Sequence, residues 1–485
     1  MIRRMVLDPD AAYLAFKARD ARFDGRIFVG VTSTGVYCRP VCRVRTPRRE
    51  NCRFFDTRAQ AEAAAFRPCM KCRPEIAPGL SQMDSSRTLA DTAARWIEHA
   101  VHSGDGVALP TLAAKLGVTD RHLRRIFQAT HGVAPHEYLT TQRLLLAKQL
   151  LTDTTQAVTQ VALASGFDSL RRFNAAFAER YRFNPTQLRR EGAAPSSSMA
   201  LRLAYRPPYD VQAVLGFFAR REVRGVEQVE GLTLRRTVGW LHRGTRVTGW
   251  ISARFVPEKN EVHVDASASL TPVLGAVMQR VRQGLDLDAD PALIDPAMSL
   301  LPVPLRPGTR LPGVMDGFEG AVRVILGQQV TVKAARTLVQ RLVDRFGEPI
   351  STPYPALTHV FPHAQAIAAA DPEVIGKLGI VRQRVKALQA LAAAVADGSL
   401  LLHRGAPLEA TLDTLRALPG VGEWTAQVVA MRALAWPDAW PATDIGLMNA
   451  LGSRDPKHIT ALAEPWRPWR AYAVMRLWFE LENPT

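Results

Sequence analysis

The sequence predicts a multidomain, mainly α-helical fold with three textures. These are a small cysteine-bearing α/β region, an all-α region, and an α+β region whose small antiparallel sheet precedes an all-α core. Three observations predict it. The 485 residues exceed a single domain of ~100–200. All five cysteines fall within the first 72 residues. The apolar periodicity is helical over 85–191, strand-like over 201–275 and helical again to the end. The expected boundaries are 1–78, 85–191, a Gly/Ala/Ser-rich linker at 192–200, then 201–275 and 276–485. Strands are expected at Thr233–Val238, Arg246–Phe255 and Glu261–Asp265.

Composition narrows the class. Hydrophobic residues make up 47% and charged residues 22% of the chain, which is ordinary globular usage. No run approaches the ~18 apolar residues of a membrane span, and the basic N-terminus lacks the apolar stretch of a secretory signal, so a cytoplasmic location is expected. The net charge of +17 is uneven: residues 1–192 hold 30 Lys/Arg against 18 Asp/Glu, the remainder 32 against 27. Positive excess favours phosphate backbones through counterion release, without sequence preference.

In a reducing compartment, a local cysteine cluster reads as a metal site before it reads as disulfides. Cys38-x3-Cys42 and Cys69-x2-Cys72 are two tight pairs, each able to supply two thiolates to one tetrahedral zinc. Cys52 is left over as a half-buried free thiol. Spacing alone favours a purely structural zinc that only holds a small basic domain together.

The wording around the cysteines goes further. Gly35-Val-Tyr-Cys38-Arg-Pro-Val-Cys42-Arg, Arg48-Arg-Glu-Asn51 and Phe66-Arg-Pro-Cys69-Met-Lys-Cys72-Arg-Pro74 resemble the Ada-type methylphosphotriester sensor over about residues 8–76. The resemblance implies one Zn2+ held by Cys38, Cys42, Cys69 and Cys72, with Cys38 the irreversible methyl acceptor. Zinc keeps such sulfurs deprotonated and nucleophilic near neutral pH. Methylating one of them changes the formal charge of the centre from −2 to −1, which lowers its repulsion from DNA.

Two helix-turn-helix units follow. Leu112-Ala-Ala-Lys-Leu-Gly117-Val-Thr119 leads into Asp120–Phe127, with Leu123, Ile126 and Phe127 on the inner face. Val161-Ala-Leu-Ala-Ser-Gly166-Phe167 leads into Asp168–Phe177. Each second helix presents an arginine pair, Arg124/Arg125 and Arg171/Arg172, as candidate DNA contacts. Gly166-Phe-Asp-Ser-Leu-Arg-Arg-Phe173 with Phe183-Asn-Pro-Thr-Gln-Leu-Arg189 resembles the close of AraC-type DNA-binding domains. Behind an Ada-type sensor this implies promoter binding and contact with RNA polymerase.

In the C-terminal half, Leu418-Pro-Gly420-Val-Gly422 resembles a helix-hairpin-helix turn, whose Gly420 and Gly422 let backbone N–H groups approach a DNA phosphate. Asp444 lies 22 residues beyond Gly422, where the helix-hairpin-helix glycosylases carry their catalytic aspartate. Arg206-Pro-Pro-Tyr-Asp210, Leu215-Gly-Phe217, Arg310-Leu-Pro-Gly313, Ile325-Leu-Gly-Gln-Gln329 and Trp466-Arg-Pro-Trp-Arg470 extend the likeness to AlkA-type 3-methyladenine DNA glycosylase II over 201–480. The resemblance implies that Asp444 stabilises an oxocarbenium-like sugar and orients water. It implies that Phe217, Trp424 and Trp478 line the pocket of a flipped, cationic purine such as 3-methyladenine or 7-methylguanine. Gln329 is expected as the wedge, where relatives often use an apolar residue.

The same comparison excludes neighbouring chemistries. Trp424 stands where lyases carry lysine, and no cysteine after Cys72 exists for an iron–sulfur cluster or a second methyltransferase. The expected whole is a monomeric repair enzyme and adaptive-response activator acting on damaged and promoter duplex DNA. The alternatives are a regulator with an inactive glycosylase-like domain, and a structural-zinc DNA-binding protein without methyl transfer.

Overall fold

The computed structural model describes residues 8–20, 23–24, 27–74, 82–103, 108–153, 156–188, 198–242 and 245–482. The chain divides into two compact units, residues 1–95 with 108–138, and 96–107 with 139–485.

The first unit holds a four-stranded sheet of β1 (Phe28–Val31), β2 (Val36–Cys38), β3 (Cys52–Phe55) and β4 (Arg67–Pro68), in the order β3-β1-β2-β4. β1 pairs antiparallel with β2 and β3, and β2 pairs parallel with β4. Strand alternation sorts the side chains. Phe28, Tyr37 and Phe55 pack with Phe66 on one face, while Val29, Cys38 and Cys52 pack with Phe16 and the other cysteines on the opposite face. The helix Pro9–Lys17 starts at Asp8, whose carboxylate accepts from the Asp10 and Ala11 N–H groups.

This unit also contains the first helix-turn-helix, Leu109–Lys115 and Asp120–His131. Gly117 makes the turn at φ +68°, Thr119 caps the second helix, and Leu123, Ile126 and Phe127 are buried as expected. The second helix-turn-helix, Val158–Ala164 and Leu170–Tyr181, falls in the second unit. Gly166 turns at φ +81°, Ser169 caps, and Phe173 and Phe177 are buried. Arg189 of the sequence signature lies outside the described residues.

The expected antiparallel sheet is present and larger than foreseen. β5 (Ser198–Ala204), β6 (Glu227–Glu230), β7 (Thr233–His242), β8 (Thr245–Val256) and β9 (Glu261–Ser267) pair antiparallel in the order β5-β9-β8-β7-β6. The linker reading of 192–200 needs correction at its end, because residues 198–200 already pair with β9; 192–197 lie outside the described residues. Small residues such as Ser198 and Ala200 read as linker by composition, but β9 supplies the ladder that makes them strand.

Helices dominate from 274 onward. Glu423–Ala433 is buried around nearly its whole circumference because it serves two cores. Ala426, Val429 and Ala430 join a cluster with Val322, Ile325, Leu388 and Leu415. Val428 and Met431 join another with Phe217, Leu447, Val474 and Leu477. Among the described residues no helix is long and apolar enough to cross a membrane.

Candidate active site and metal centre

The metal centre follows from the β2–β4 pairing. Cys38 ends β2, and Cys42 follows in a turn closed by its N–H on the Arg39 carbonyl at 3.1 Å. Cys69 directly follows β4, its N–H bonded to the Tyr37 carbonyl at 3.0 Å, and Cys72 completes the second turn. The ladder thus sets the two cysteine turns side by side. The sulfurs of Cys38, Cys42, Cys69 and Cys72 all lie within 4.8 Å of one another, and all four residues are buried. A tetrahedral site with Zn–S bonds of ~2.3 Å needs sulfurs roughly 3.8 Å apart, so this all-sulfur donor set fits one Zn2+.

The sequence reading missed what supports this cluster. Arg39 is fully buried, its guanidinium paired with Asp24 (Nε to Oδ1 2.8 Å), and its backbone N–H donates to Cys72 Sγ at 3.4 Å. Only its place between two ligands could have hinted at that role. Before metal enters, the Cys42 thiol is pulled down to about 3 by hydrogen bonds from Cys38 and Cys72, while the Cys38 thiol is held far above its usual value. Cys52 is buried rather than half-buried; its thiol donates to the Arg48 carbonyl at 3.4 Å, and burial pushes it up.

The candidate DNA-contact arginines Arg124, Arg125, Arg171 and Arg172 are all exposed. Arg124 pairs with Asp120 at 2.8 Å, one helical turn back, and Arg125 contacts His122 at 3.1 Å.

In the second unit Asp444 is the N-cap of the helix Ile445–Ala450. Its Oδ1 accepts from the Leu447 N–H at 2.9 Å and from the Trp478 indole at 3.0 Å, and its Oδ2 accepts from the Trp424 indole at 2.8 Å. Three donors from three stretches of chain fix the carboxylate's orientation. Gly446 is part of the fit: a Cβ there would stand 2.9 Å from Asp444 Oδ1. The carboxylate borders a cavity of about 450 Å³ that Phe217, Arg221, Trp424, Arg432 and Trp478 also line.

The three expected pocket aromatics are therefore brought together, but not in equivalent roles. Trp424 and Trp478 line the cavity and grip the carboxylate. Phe217 is buried, and two guanidinium groups already lie over its ring, Arg221 at 3.8 Å and Arg432 at 4.4 Å from the centroid. Phe217 lines the cavity with its ring also held against the protein's own cations. Arg221 is bound to Glu482 at 2.6 Å. Deeper in the wall Arg236 and Arg323 alternate with Glu227 and Glu319 at 2.6–3.3 Å. Burial pushes the Glu319 carboxyl up, but Arg236 and Arg323 outweigh it and hold it below its usual value.

The hairpin joins the helices Leu408–Ala417 and Glu423–Ala433. Gly420 has φ +75°, and Gly422 begins the second helix with open space where a Cβ would stand. Gln329 is exposed at φ +52°, in the connection between the helices Gly317–Leu326 and Val332–Phe346. Its neighbour Gln328, which the sequence reading passed over, donates to the Gly420 carbonyl at 2.9 Å and to Thr425 Oγ1 at 2.8 Å. The loop that carries Gln329 is thus tied directly to the hairpin.

Family models match in the same order along the chain. They are the metal binding domain of Ada over 11–75, a helix-turn-helix domain over 112–191, the AlkA N-terminal domain over 200–316 and the HhH-GPD superfamily of base excision DNA repair proteins over 322–463. A "probable bifunctional transcriptional activator/DNA repair enzyme AlkA" of Mycobacterium tuberculosis is 39% identical across 98% of this chain and 97% of its own. The chain belongs to this bifunctional activator/repair family. Within it, the C-terminal part of this family member is similar to DNA-3-methyladenine glycosylase 2 of Escherichia coli, at 34% identity over 57% of this chain and 96% of the relative. A solved 3-methyladenine DNA-glycosylase from Archaeoglobus fulgidus shares the fold at TM-score 0.50 and 20% identity, covering 58% of this chain and 98% of that one.

Proposed function

We propose that this bifunctional family member hydrolyses the N-glycosidic bond of alkylated bases with its C-terminal half, and senses methylated phosphate with its N-terminal half. The observation that carries the first activity is the Asp444 carboxylate, held by three N–H donors at the edge of a base-sized cavity. A damaged nucleotide flips from the stack into the cavity, at a cost lowest for weakly paired bases. Asp444 faces the sugar, stabilises the positive charge that develops as the bond to the base breaks, and orients the water that adds. Trp424 and Trp478 keep both carboxylate oxygens aimed and supply apolar wall. Gly420 and Gly422 receive a backbone phosphate, and Gln329 fills the gap in the duplex.

At the N-terminal centre, Zn2+ lowers the proton affinity of its four sulfurs. The Cys38 thiolate attacks a methyl carbon of a phosphotriester; the S–C bond forms, the C–O bond breaks, and the electron pair stays on the departing phosphodiester. The reduced negative charge strengthens DNA binding, and Arg124, Arg125, Arg171 and Arg172 engage promoter DNA to recruit RNA polymerase. The division into 1–78, 85–191, 201–275 and 276–485, a monomeric state and a cytoplasmic location belong to the same proposal.

Purified protein and an Asp444→Asn variant are compared for release of 3-methyladenine and 7-methylguanine from methylated duplex DNA. Release by the wild type alone supports the glycosylase; release by neither leaves the regulator with an inactive domain. Mass spectrometry of Cys38 after exposure to methylated DNA tests the sensor, and an unmodified Cys38 in zinc-loaded protein refutes it.

A further inference from the structure

The cavity beside Asp444 is lined by a half-buried cation, Arg432, that has no ion-pair partner among the described residues. Among the described residues its one side-chain hydrogen bond runs from a terminal nitrogen to the Gly313 carbonyl at 3.1 Å. Its Nε is sequestered without a partner. Two neighbouring cations are paired, Arg221 with Glu482 and Arg323 with Glu227 and Glu319, while Arg336, which also lines the cavity, is exposed to solvent. Among the described residues Arg432 forms no ion pair, and its guanidinium lies over the face of Phe217. Burial, and then the positive charges of Arg221 and Arg323, lower its proton affinity to about 9, so it is still charged at neutral pH.

A guanidinium offers five N–H donors and accepts nothing. A cationic base gains no acceptor-to-donor bond here and meets a like charge that Glu227 offsets only at a distance, without an ion pair. A neutral base with a carbonyl on its inserted edge meets the opposite situation. Its oxygen can take the unused donors, and that bond strengthens as negative charge builds on the departing base. Undamaged guanine carries a similar carbonyl, but its intact pair makes flipping costly.

We propose that Arg432 is a specificity-determining residue that turns the cavity towards neutral, carbonyl-bearing damaged bases, deaminated purines in particular, relative to purine cations. The inference rests on the glycosylase reading of the Asp444 site. Hypoxanthine is the neutral probe, having a 6-carbonyl and no charge, and 3-methyladenine the cationic one, having charge and no carbonyl.

The experiment measures kcat/KM for hypoxanthine excised from a defined duplex and for 3-methyladenine released from methylated duplex, with wild type, Arg432→Met and Arg432→Gln. The wild type is expected to excise both. Both variants are expected to lower the hypoxanthine-to-3-methyladenine ratio, by roughly tenfold or more in Arg432→Met and less in Arg432→Gln, which keeps a donor. Release of 3-methyladenine serves as the internal control for folding. An unchanged ratio, or equal loss on both bases, overturns the proposal. So does a wild type that releases 3-methyladenine and leaves hypoxanthine untouched, a result that needs no variant to fold. A wild type that excises neither base overturns the glycosylase reading instead.

Discussion

The two reactive groups of this chain, the sulfur cluster around Cys38 and the carboxylate of Asp444, are prepared for chemistry in opposite ways. The sulfurs come from two tight turns within 35 residues of chain, brought together by the pairing of β2 with β4. Without metal, the hydrogen bonds to Cys42 and Cys72, and then burial, hold the Cys38 thiol far above its usual value. Nucleophilicity there has to be supplied by the metal. The carboxylate is set by indoles at 424 and 478 and a backbone amide at 447, so its geometry is complete once the helices pack. One site is loaded; the other is built in by folding.

Metal removal is the sharpest way to break that contrast. Structural zinc contributes ~10–16 kcal/mol of apparent binding energy in small thiolate sites, and that energy is coupled to folding. Chelation, or Cys42→Ser, is therefore expected to melt residues 8–74 and abolish methyl uptake at Cys38. Base release is expected to persist at the untreated rate. Circular dichroism and the two activity assays on one sample read all three, and a parallel loss of base release would mean that Asp444 also depends on metal.

Next in size is Asp444→Asn. The amide keeps the capping oxygen but loses the charge, and it cannot accept from both indoles without turning an NH2 towards one of them. A fall of base release by on the order of 10²–10³-fold is expected, with Cys38 methylation unchanged. Trp478→Phe is a finer cut, retaining ring area while deleting one donor to Oδ1. A hydrogen bond to a charged group is worth ~1.5–3 kcal/mol, so release should slow by about 10- to 100-fold. A rate within about twofold of wild type would show that two remaining donors orient the carboxylate well enough.

The contrast also explains what the sequence could disclose. The zinc ligands are legible because turn-supplied ligands are close in sequence, and the helix-turn-helix units because Gly, cap and apolar stripe are local signals. Asp444 is legible through its distance from the Gly420-Val-Gly422 hairpin. Its grip by Trp424 and Trp478 is not, since nothing in either tryptophan's neighbourhood says that its N–H rather than its face is used. The contact of Phe217 with Arg432 was hidden for the same reason, since the helices Val211–Arg220 and Glu423–Ala433 must pack to make it. Arg221, by contrast, four residues beyond Phe217 at the end of the same helix, was a local signal that went unread. β5 escaped because Ser-Met-Ala has little strand character until β9 pairs with it.

The smallest effects expected lie in the hairpin, where the two glycines serve different ends. Gly420 sits at φ +75°, with a would-be Cβ 3.3 Å from the Ala387 methyl. Alanine there is strained by the left-handed backbone, at ~1–2 kcal/mol, and should lower Tm. Gly422 has φ −92° and nothing within 4 Å of a would-be Cβ, so Gly422→Ala should leave Tm unchanged. That empty space is where a phosphate would meet the amides at the start of Glu423–Ala433. A methyl group in it should weaken binding to abasic duplex several-fold and reduce its salt dependence, while both Gly422→Ala and wild type keep the Asp444 geometry. Unchanged affinity in Gly422→Ala would move the phosphate contact off this turn, leaving the tether from Gln328 to Gly420 as the hairpin's main service to the site.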